Sequence, residues 1–191
     1  MIISISGIDG SGKTTLIKKL AESKNFFVPE HVSKFVDYSK NLTQWYQFGN
    51  IEEVINLDLK GFKLRNGSVL GKNNVLLDRG HYNIIDSACA RYQNRTGISY
   101  KEAKSYVENL CKNIGLNLIE NKLVLLDFPD KEWPEVKDII NKRCGPHSES
   151  YLQYLEVLFY NIRSNKNLYD LILNSESSSE ENLKKIINWI K

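Results

Sequence analysis

The sequence feature that most constrains the fold is residues 7–14, GIDGSGKT, which match the pattern G-x-x-x-x-G-K-[ST]. An apolar stretch with Ile2, Ile3 and Ile5 precedes this motif, and a stretch with helical spacing follows it. Glycines at these positions let successive backbone N–H groups point inward around an anion, and a helix N-terminus adds its partial positive charge. The pattern therefore predicts a strand, a phosphate-binding loop and a helix, in that order.

The loop carries the side chains that a nucleotide and its metal ion require. Lys13 would reach the β- and γ-phosphates, and the Thr14 hydroxyl would bind Mg²⁺. We therefore expect ATP and Mg²⁺ as cofactors. The predicted nucleotide-binding residues are Gly7, Asp9, Gly10, Ser11, Gly12, Lys13, Thr14 and Thr15.

Apolar runs and helical patterns alternate along the rest of the chain. Further apolar runs predict strands at residues 25–29, 74–78, 122–128 and 169–173. The stretches between them predict helices at residues 51–65, 82–95, 99–111, 133–143 and 148–163. A last helix is predicted after Ser178, which has capping-box spacing to Glu181. The alternation predicts one α/β domain over residues 1–191, with a five-stranded parallel sheet and helices on both faces. Ligands of such sheets bind at the carboxyl ends of the strands.

Composition and charge argue against several classes of partner. The 26 basic and 23 acidic residues leave a net charge of +3 without a dense Lys/Arg run, so we expect no nucleic-acid partner. Cys89, Cys111 and Cys144 form no C-x-x-C pair, which argues against a disulfide framework or a zinc site. No apolar run approaches the ~18 residues of a membrane span. We expect no signal peptide, no membrane partner and a cytoplasmic protein.

A second group of charged residues ends the predicted strand at residues 74–78. Asp78 and Arg79 lie at the sheet edge where a bound nucleotide is expected. Asp78 would bind Mg²⁺, and Arg79 would contact a second phosphate or the migrating phosphoryl group. Residues 58–61 match the D-x-x-G pattern of GTPases, but they fall in a predicted helix, and residues 121–122 lack the Asp of an N-K-x-D motif. A GTPase is therefore disfavoured.

The two motifs together resemble those of thymidylate kinases. Residues 7–15, GIDGSGKTT, look like the phosphate loop of that family, which carries an Asp at the position of Asp9. Residues 78–82, DRGHY, followed by Ser87 and by residues 91–93, are similar to its D-R-Y…S…A-Y-Q segment. The resemblance implies the nucleoside and nucleotide kinase branch of P-loop proteins, with a three-layer P-loop NTPase fold and a small helical lid.

Two positions depart from the thymidylate kinase pattern. Gly80 replaces the Tyr of D-R-Y, and residues 28–32, VPEHV, lack the Arg that contacts the acceptor monophosphate in that family. A Glu after the second strand instead resembles deoxynucleoside kinases, in which the carboxylate at the position of Glu30 is the base for the sugar 5′-hydroxyl. Those enzymes usually lack an Asp in the loop, so Asp9 favours the thymidylate kinases. Glu30 could equally be a structural carboxylate that bonds Arg79.

Phosphoryl transfer needs a mobile cation in addition to Lys13. Residues 142–147, KRCGPH, lie between two predicted helices, and their Gly-Pro pair suits a short mobile connection. We therefore predict a lid near residues 133–150, with Arg143 as its cation and Lys142 as a helper. A lid cation acts chiefly in the transition state, so removing it is expected to lower the rate with little change in ATP affinity.

The acceptor base needs an aromatic face and polar groups for its edge. Tyr92 and Gln93 are candidates because they fall in the segment resembling A-Y-Q, and other side chains considered are Phe62, Arg91, Trp45 and Tyr46. The predicted substrate-binding residues are Asp9, Glu30, Phe62, Arg65, Arg79, Tyr92 and Gln93. The predicted catalytic residues are Lys13, Asp78, Arg79, Arg143, Asp9 and Glu30, and the predicted metal ligands are Thr14 and Asp78.

Three functions fit these residues. The leading hypothesis is ATP- and Mg²⁺-dependent phosphoryl transfer to a pyrimidine deoxynucleotide, with dTMP to dTDP favoured. The second is a deoxynucleoside kinase in which Glu30 is the base for the 5′-hydroxyl. The third is a non-catalytic module in which ATP orders a loop that a protein partner recognises. A homodimer is a further expectation, with an apolar interface from the helices predicted at residues 51–65 and 82–95.

Overall fold

The computed structural model describes residues 1–35 and 49–191 as an α/β fold with a parallel sheet. The strands are β1 (Ile2–Ser6), β2 (Val75–Asp78), β3 (Lys122–Asp127) and β4 (Leu171–Asn174). The helices are α1 (Lys13–Lys24), α2 (Ile51–Ser68), α3 (His81–Thr96), α4 (Tyr100–Ile114), α5 (Trp133–Cys144), α6 (Glu149–Ser164) and α7 (Ser179–Ile190). Short 3₁₀ turns lie at Val32–Lys34 and Lys166–Leu168. Within this described part of the chain, no helix is long and apolar enough to cross a membrane.

The strands lie in the order β2-β1-β3-β4, and all neighbours are parallel. The prediction of a fifth strand at residues 25–29 is wrong, because only Phe27 pairs with the edge of β2. Its N–H donates to the oxygen of Asn74 at 2.8 Å, and its oxygen accepts from the N–H of Leu76 at 2.9 Å. The next hydrogen bond of a parallel ladder would need an N–H at Pro29, which proline lacks. The described sheet therefore has four strands.

Helices cover both faces of this sheet, because successive strand residues point to opposite sides. On one face of the sheet, Ile3 and Ile5 of β1 pack against α1 and against Ile186 of α7. Leu125 of β3 packs on the other side with Phe159 of α6. α3 also lies on this second face, and α2 and α4 pack around it. The predicted three-layer arrangement is confirmed.

Capping side chains begin several helices where the sequence predicts them. Ser178 Oγ accepts a hydrogen bond from the N–H of Glu181 at 3.2 Å at the start of α7, in agreement with the predicted capping spacing. Ser99 and Glu102 form a reciprocal capping box at the start of α4. These local contacts satisfy backbone groups that a helix end would otherwise leave unpaired.

The lid predicted near residues 133–150 corresponds to α5 and the connection that follows it. Val136 and Ile140 of α5 are fully buried and belong to the core. Residues 142–144 at the end of α5 are exposed, as are Pro146 and Ser148 in the connection that follows. Movement of a lid stays a prediction, and the packing of α5 restricts its candidate residues to this short segment.

Candidate active site

The loop between β1 and α1 has the geometry expected of a phosphate-binding loop. Gly12 is the N-cap of α1 and has a φ of 96°, a conformation that glycine adopts at little steric cost. No side chain in the described part of the protein caps this helix end, so its first N–H groups can bind an anion. The side chain of Lys13 is buried, and its Nζ donates to the oxygen of Ile8 at 2.7 Å.

A cleft of about 770 Å³ lies over this loop. The predicted nucleotide-binding residues 9–15 line it, whereas Gly7 does not. The end of α5 and the segment after β4 also contribute to its lining, through Arg143, Cys144, Ser175, Ser177, Ser179 and Asn182. The Arg143 guanidinium donates to the oxygens of Gly10 at 2.9 Å and Ser175 at 3.1 Å. It thereby joins the phosphate loop to the loop after β4.

A second, smaller cavity of about 210 Å³ adjoins this cleft. Its lining includes the predicted acceptor-binding residues Glu30, Phe62 and Arg65. Among the described residues, His31, Asp78 and Arg79 line both cavities. The described residues therefore form a pair of adjoining cavities, of which one contains the phosphate loop, and they meet at the end of β2. This arrangement suits a donor and an acceptor whose reacting groups must come together.

Two buried atoms at this meeting point have no hydrogen-bond partner among the described residues. They are Asp78 Oδ1 and Arg79 Nη1. Buried charged groups are normally paired, because their desolvation is costly. A carboxylate oxygen suits a divalent cation, and a guanidinium nitrogen suits a phosphate oxygen. The two side chains are therefore suited to hold a metal ion and a phosphoryl group.

The predicted Mg²⁺ ligands fit this ion. Asp78 and Thr14 line the same cleft, and the unpartnered Asp78 oxygen is an acceptor of the type that Mg²⁺ prefers. The described residues contain no cluster of three His, Cys, Asp or Glu side chains that would hold a metal ion. Mg²⁺ in phosphoryl-transfer sites needs only one or two protein ligands, since substrate phosphates and waters supply the others.

Asp9 connects the phosphate loop with Arg79. Its Oδ1 accepts a hydrogen bond from Arg79 Nη2 and lies 3.7 Å from Lys13 Nζ. Its Oδ2 accepts a hydrogen bond from the hydroxyl of Tyr151 in α6. Burial alone would raise the pKa of Asp9, but the charges of Arg79 and Lys13 hold that pKa well below its usual range. Asp9 is therefore ionised at neutral pH and positions Arg79 between the two cavities.

Arg65 forms hydrogen bonds mainly with the backbone of the segment that carries Asp78 and Arg79. Arg79 has a φ of 66°, which is unusual for a residue with a side chain and costs about 1 kcal/mol. The buried guanidinium of Arg65 donates to the oxygens of Asp78 at 2.6 Å and Arg79 at 3.2 Å. It also donates to Asn66 Oδ1. These hydrogen bonds stabilise the turn that carries Arg79. Arg65 also lines the smaller cavity, so its predicted contact with a substrate stays a prediction.

The structure gives a packing reason for Gly80, which replaces a Tyr of the thymidylate kinase pattern. A Cβ atom at this position would overlap Ser4 Oγ and lie 2.7 Å from Ser4 Cβ. The N–H of Gly80 donates to Ser6 Oγ at 3.1 Å. α3 therefore begins directly against β1, and this close approach requires glycine.

Tyr92 and Gln93 do not line the smaller cavity, and their predicted contact with the base stays a prediction that this position does not favour. Tyr92 stacks on Tyr106 of α4 at 4.7 Å, and Gln93 Oε1 accepts a hydrogen bond from Asn161 at 2.9 Å. Successive side chains of a helix point about 100° apart. Arg91 lines the smaller cavity, so the two residues after it are turned away from that cavity. Phe62 does line the cavity, whereas Trp45 and Tyr46 lie outside the described residues.

Several residues of the site lack a recognisable sequence signal. Asp58 of α2 lies 3.7 Å from Arg91 of α3, and both line the smaller cavity. Tyr151 lies on a helix face that the pattern describes only as apolar. His31 is distinguished in the sequence only by its position next to Glu30. These contacts join distant parts of the chain, so periodicity and spacing do not predict them.

Comparison with solved structures shows the same fold in known kinases. Deoxyadenosine kinase from M. mycoides with bound dATP matches with a TM-score of 0.72 and 16% identity, over 100% of this chain and 99% of that chain. The same enzyme with dCMP and dCDP matches with a TM-score of 0.71 and 19% identity, over 100% and 98%. Shikimate kinase from Aquifex aeolicus matches with a TM-score of 0.58 and 20% identity, over 100% and 96%. The chain has the P-loop kinase fold.

Sequence comparison gives no corresponding family assignment. No family model matches the chain, and no curated protein matches it. Identities of 16–20% with the solved structures show the fold alone. The resemblance to thymidylate kinases therefore stays a prediction, and the acceptor must be inferred from the site.

Proposed function

We propose that this chain transfers the γ-phosphoryl group of ATP to the 5′-hydroxyl of a deoxynucleoside. The observation that carries the proposal is the pair of buried unpartnered atoms, Asp78 Oδ1 and Arg79 Nη1, where the two cavities meet. ATP would bind in the larger cavity over the phosphate loop, and the deoxynucleoside would bind in the smaller one. The transferred group would then pass beside Asp78 and Arg79. The deoxyadenosine kinase fold of the neighbours is consistent with this arrangement.

Each charged residue of the donor site has a role in this proposal. Lys13 and the N–H groups of the loop would bind the β- and γ-phosphates. Thr14 and Asp78 would hold Mg²⁺, which neutralises charge on the phosphates. Arg79 would stabilise the charge on the transferred group, and Arg143 would supply a further cation beside the phosphate loop.

Glu30 is the proposed base, because it lines the acceptor cavity and is exposed there. The 5′-oxygen forms a bond to the γ-phosphorus, and its proton passes to the Glu30 carboxylate. The bond from the γ-phosphorus to the bridging oxygen breaks, and its electron pair leaves with ADP. The products are ADP and a deoxynucleoside 5′-monophosphate. General base catalysis of this kind contributes about 10²- to 10⁴-fold to a rate.

The charges around the smaller cavity favour an uncharged acceptor. Among its described lining residues, the carboxylates of Glu30, Asp58 and Asp78 balance the cations Arg65, Arg79 and Arg91. Arg65 donates to backbone oxygens, and Arg79 bonds Asp9. An acceptor phosphate would carry further negative charge into this balanced site. A 5′-hydroxyl avoids that cost and uses the carboxylate of Glu30.

A second candidate is the phosphorylation of a pyrimidine deoxynucleotide, with dTMP to dTDP as the favoured reaction. Asp9 supports it, because thymidylate kinases carry an Asp at this loop position. In this reaction the acceptor phosphate and the Asp9 carboxylate would compete for the guanidinium of Arg79. The acceptor is already ionised, so Glu30 would have no proton to accept.

The deciding experiment measures ADP formation from Mg-ATP with a panel of acceptors. The panel contains deoxyadenosine, deoxycytidine, deoxyguanosine, thymidine, dTMP, dUMP, dCMP and GMP, and products are identified by chromatography. Turnover with a free deoxynucleoside supports the proposal, and turnover only with a monophosphate supports the second candidate. Tight ATP binding without turnover on any acceptor would instead support the non-catalytic module.

Two variants test the assigned roles. Lys13→Ala is expected to abolish turnover and to leave the fold intact, whereas Lys18→Ala, on the exposed side of α1, should retain it. Glu30→Gln is expected to lower kcat for a deoxynucleoside about 10²-fold or more, with exposed Glu22→Gln as the matched control. Full activity of Glu30→Gln would remove this residue from the mechanism.

A further inference from the structure

His31 occupies a special place between the two cavities. It is exposed, and it shares with Asp78 and Arg79 the property of lining both of them. His31 lies shortly after Phe27, the residue that pairs with β2. Arg79 directly follows β2 itself. Two separate segments of the chain therefore bring a nitrogen-bearing side chain to the point where the cavities meet.

The local backbone determines which nitrogen of His31 carries the proton. His31 is the N-cap of the 3₁₀ turn at Val32–Lys34, and its Nδ1 accepts a hydrogen bond from the N–H of Ser33 at 3.3 Å. The hydroxyl of Ser33 lies 3.0 Å from the same nitrogen and can also donate to it. A backbone N–H can only donate, so Nδ1 carries no proton in the neutral ring. The proton is then on Nε2. In the described part of the chain, Nε2 has no hydrogen-bond partner.

The turn that carries this ring is held in place. The N–H of Lys34 donates to the oxygen of His31 at 2.9 Å, and the turn packs against α2. The ring is therefore anchored through its backbone and through Nδ1, which leaves Nε2–H as the group that a ligand can bind.

We propose that His31 is a further catalytic residue, whose Nε2–H donates a hydrogen bond to an oxygen of the terminal phosphoryl group during transfer. This inference rests on the proposed function and adds a residue to it. Arg79 Nη1 and His31 Nε2 then donate to the same phosphoryl group from two separate segments of the chain. A hydrogen-bond donor at this place stabilises the charge that develops on the phosphoryl oxygens.

Two substitutions separate this role from the role of His31 as a cap. His31→Asn keeps an oxygen that can accept from the N–H of Ser33 but lacks a donor at the position of Nε2. His31→Gln places an amide N–H near the position of Nε2 and is a poor cap. His31→Asn should therefore lower kcat about 100-fold, which is the effect of removing one donor from a site that stabilises charge. His31→Gln should retain much of the rate.

The control Lys34→Ala, at an exposed position of the same turn, keeps the backbone N–H and is expected to change kcat by no more than about twofold. Melting temperatures of all variants show whether they fold. The inference is overturned if His31→Asn has a kcat within about twofold of the unsubstituted protein. It is also overturned if His31→Asn is active while His31→Gln is inactive, because the cap would then be the only function of His31.

A binding experiment tests the contact without any acceptor. Calorimetry compares Mg-ADP alone with Mg-ADP plus beryllium fluoride, which mimics the terminal phosphoryl group. His31→Asn should weaken binding of the mimic at least about tenfold, the loss of one hydrogen bond to a charged group, and leave ADP binding unchanged. Equal binding of the mimic by both proteins overturns the inference.

The same experiment distinguishes failure of the contact from failure of the proposed function. If the unsubstituted protein binds the mimic but turns over no acceptor, the acceptor assignment fails while the binding ratio still decides the role of His31. If it binds the mimic no more tightly than ADP, the site does not hold a terminal phosphoryl group. Both proposals are then overturned.

Discussion

The guanidinium of Arg65 donates a hydrogen bond to the main-chain oxygen of Asp78 at 2.6 Å. Its other nitrogens bond the oxygen of Arg79 and the side chain of Asn66. Burial lowers the pKa of Arg65 to about 10, so the group is still charged at neutral pH. The buried guanidinium of Arg65 thus stabilises the left-handed turn that places Arg79 between the cavities.

Arg65→Lys is expected to lower the free energy of unfolding by about 2–4 kcal/mol, because an ammonium group cannot bond both oxygens and Asn66 at once. Urea unfolding measures this change. Arg95 is an exposed arginine that also bonds a backbone oxygen, that of Gly49 at 2.9 Å. Arg95→Lys is the matched control, with an expected change below about 0.5 kcal/mol. A raised KM at unchanged stability would instead identify Arg65 as a substrate contact.

Gly80→Ala is expected to destabilise the protein by about 1–3 kcal/mol, because the added Cβ overlaps Ser4. The φ of Gly80 is −85°, so the cost comes from packing and not from backbone strain. Gly67 of α2 has open space where an added methyl group would lie, and it provides the control. Gly67→Ala should be neutral or stabilising in thermal unfolding. Equal effects of the two substitutions would contradict the packing explanation.

The stability of the protein should fall as pH rises through the titration of Asp86. Its Oδ1 accepts hydrogen bonds from Tyr100 at 2.8 Å and Asn165 at 2.9 Å. Burial nevertheless raises the pKa of Asp86 from 3.8 to about 6. Between these values the folded protein retains a proton that the unfolded chain has released. The contribution of Asp86 therefore decreases from pH 4 to pH 7, by about 3 kcal/mol.

Asp86→Asn should remove this part of the pH dependence, since an amide does not titrate. Urea unfolding at pH 4.5 and pH 7.5 compares the variant with the unsubstituted protein. Asp138→Asn, at an exposed position of α5, is the control and should leave the difference unchanged. An identical pH dependence in Asp86→Asn and in the unsubstituted protein would show that Asp86 titrates normally.

Arg143→Ala is expected to lower kcat about tenfold or more, because a cation beside the transferred group is lost. The structure adds an effect on the donor. Arg143 bonds the oxygens of Gly10 and Ser175, which lie on two walls of the cleft, so its removal should also raise the KM for ATP. Steady-state kinetics separate the two effects. Unchanged values of both constants would exclude Arg143 from the site.

Local sequence patterns predicted the elements that depend on neighbouring residues. The glycine-rich loop between β1 and α1, the cap at Ser178 and the alternation of strands and helices each involve contacts within a few residues. The exception is informative. The apolar run at residues 25–29 has strand composition, yet Pro29 removes the N–H that continued pairing with β2 would need.

The sequence by itself determined the phosphate loop, the charged pair Asp78 and Arg79, and the layered α/β fold that brings strand ends together. The tertiary structure alone decided which residues surround them. Tyr151 meets Asp9 across 142 residues of chain, and Tyr92 is turned towards α4. Such contacts depend on how whole helices pack and rotate against the sheet. No local pattern encodes them, because they form only when distant segments bury their apolar faces together.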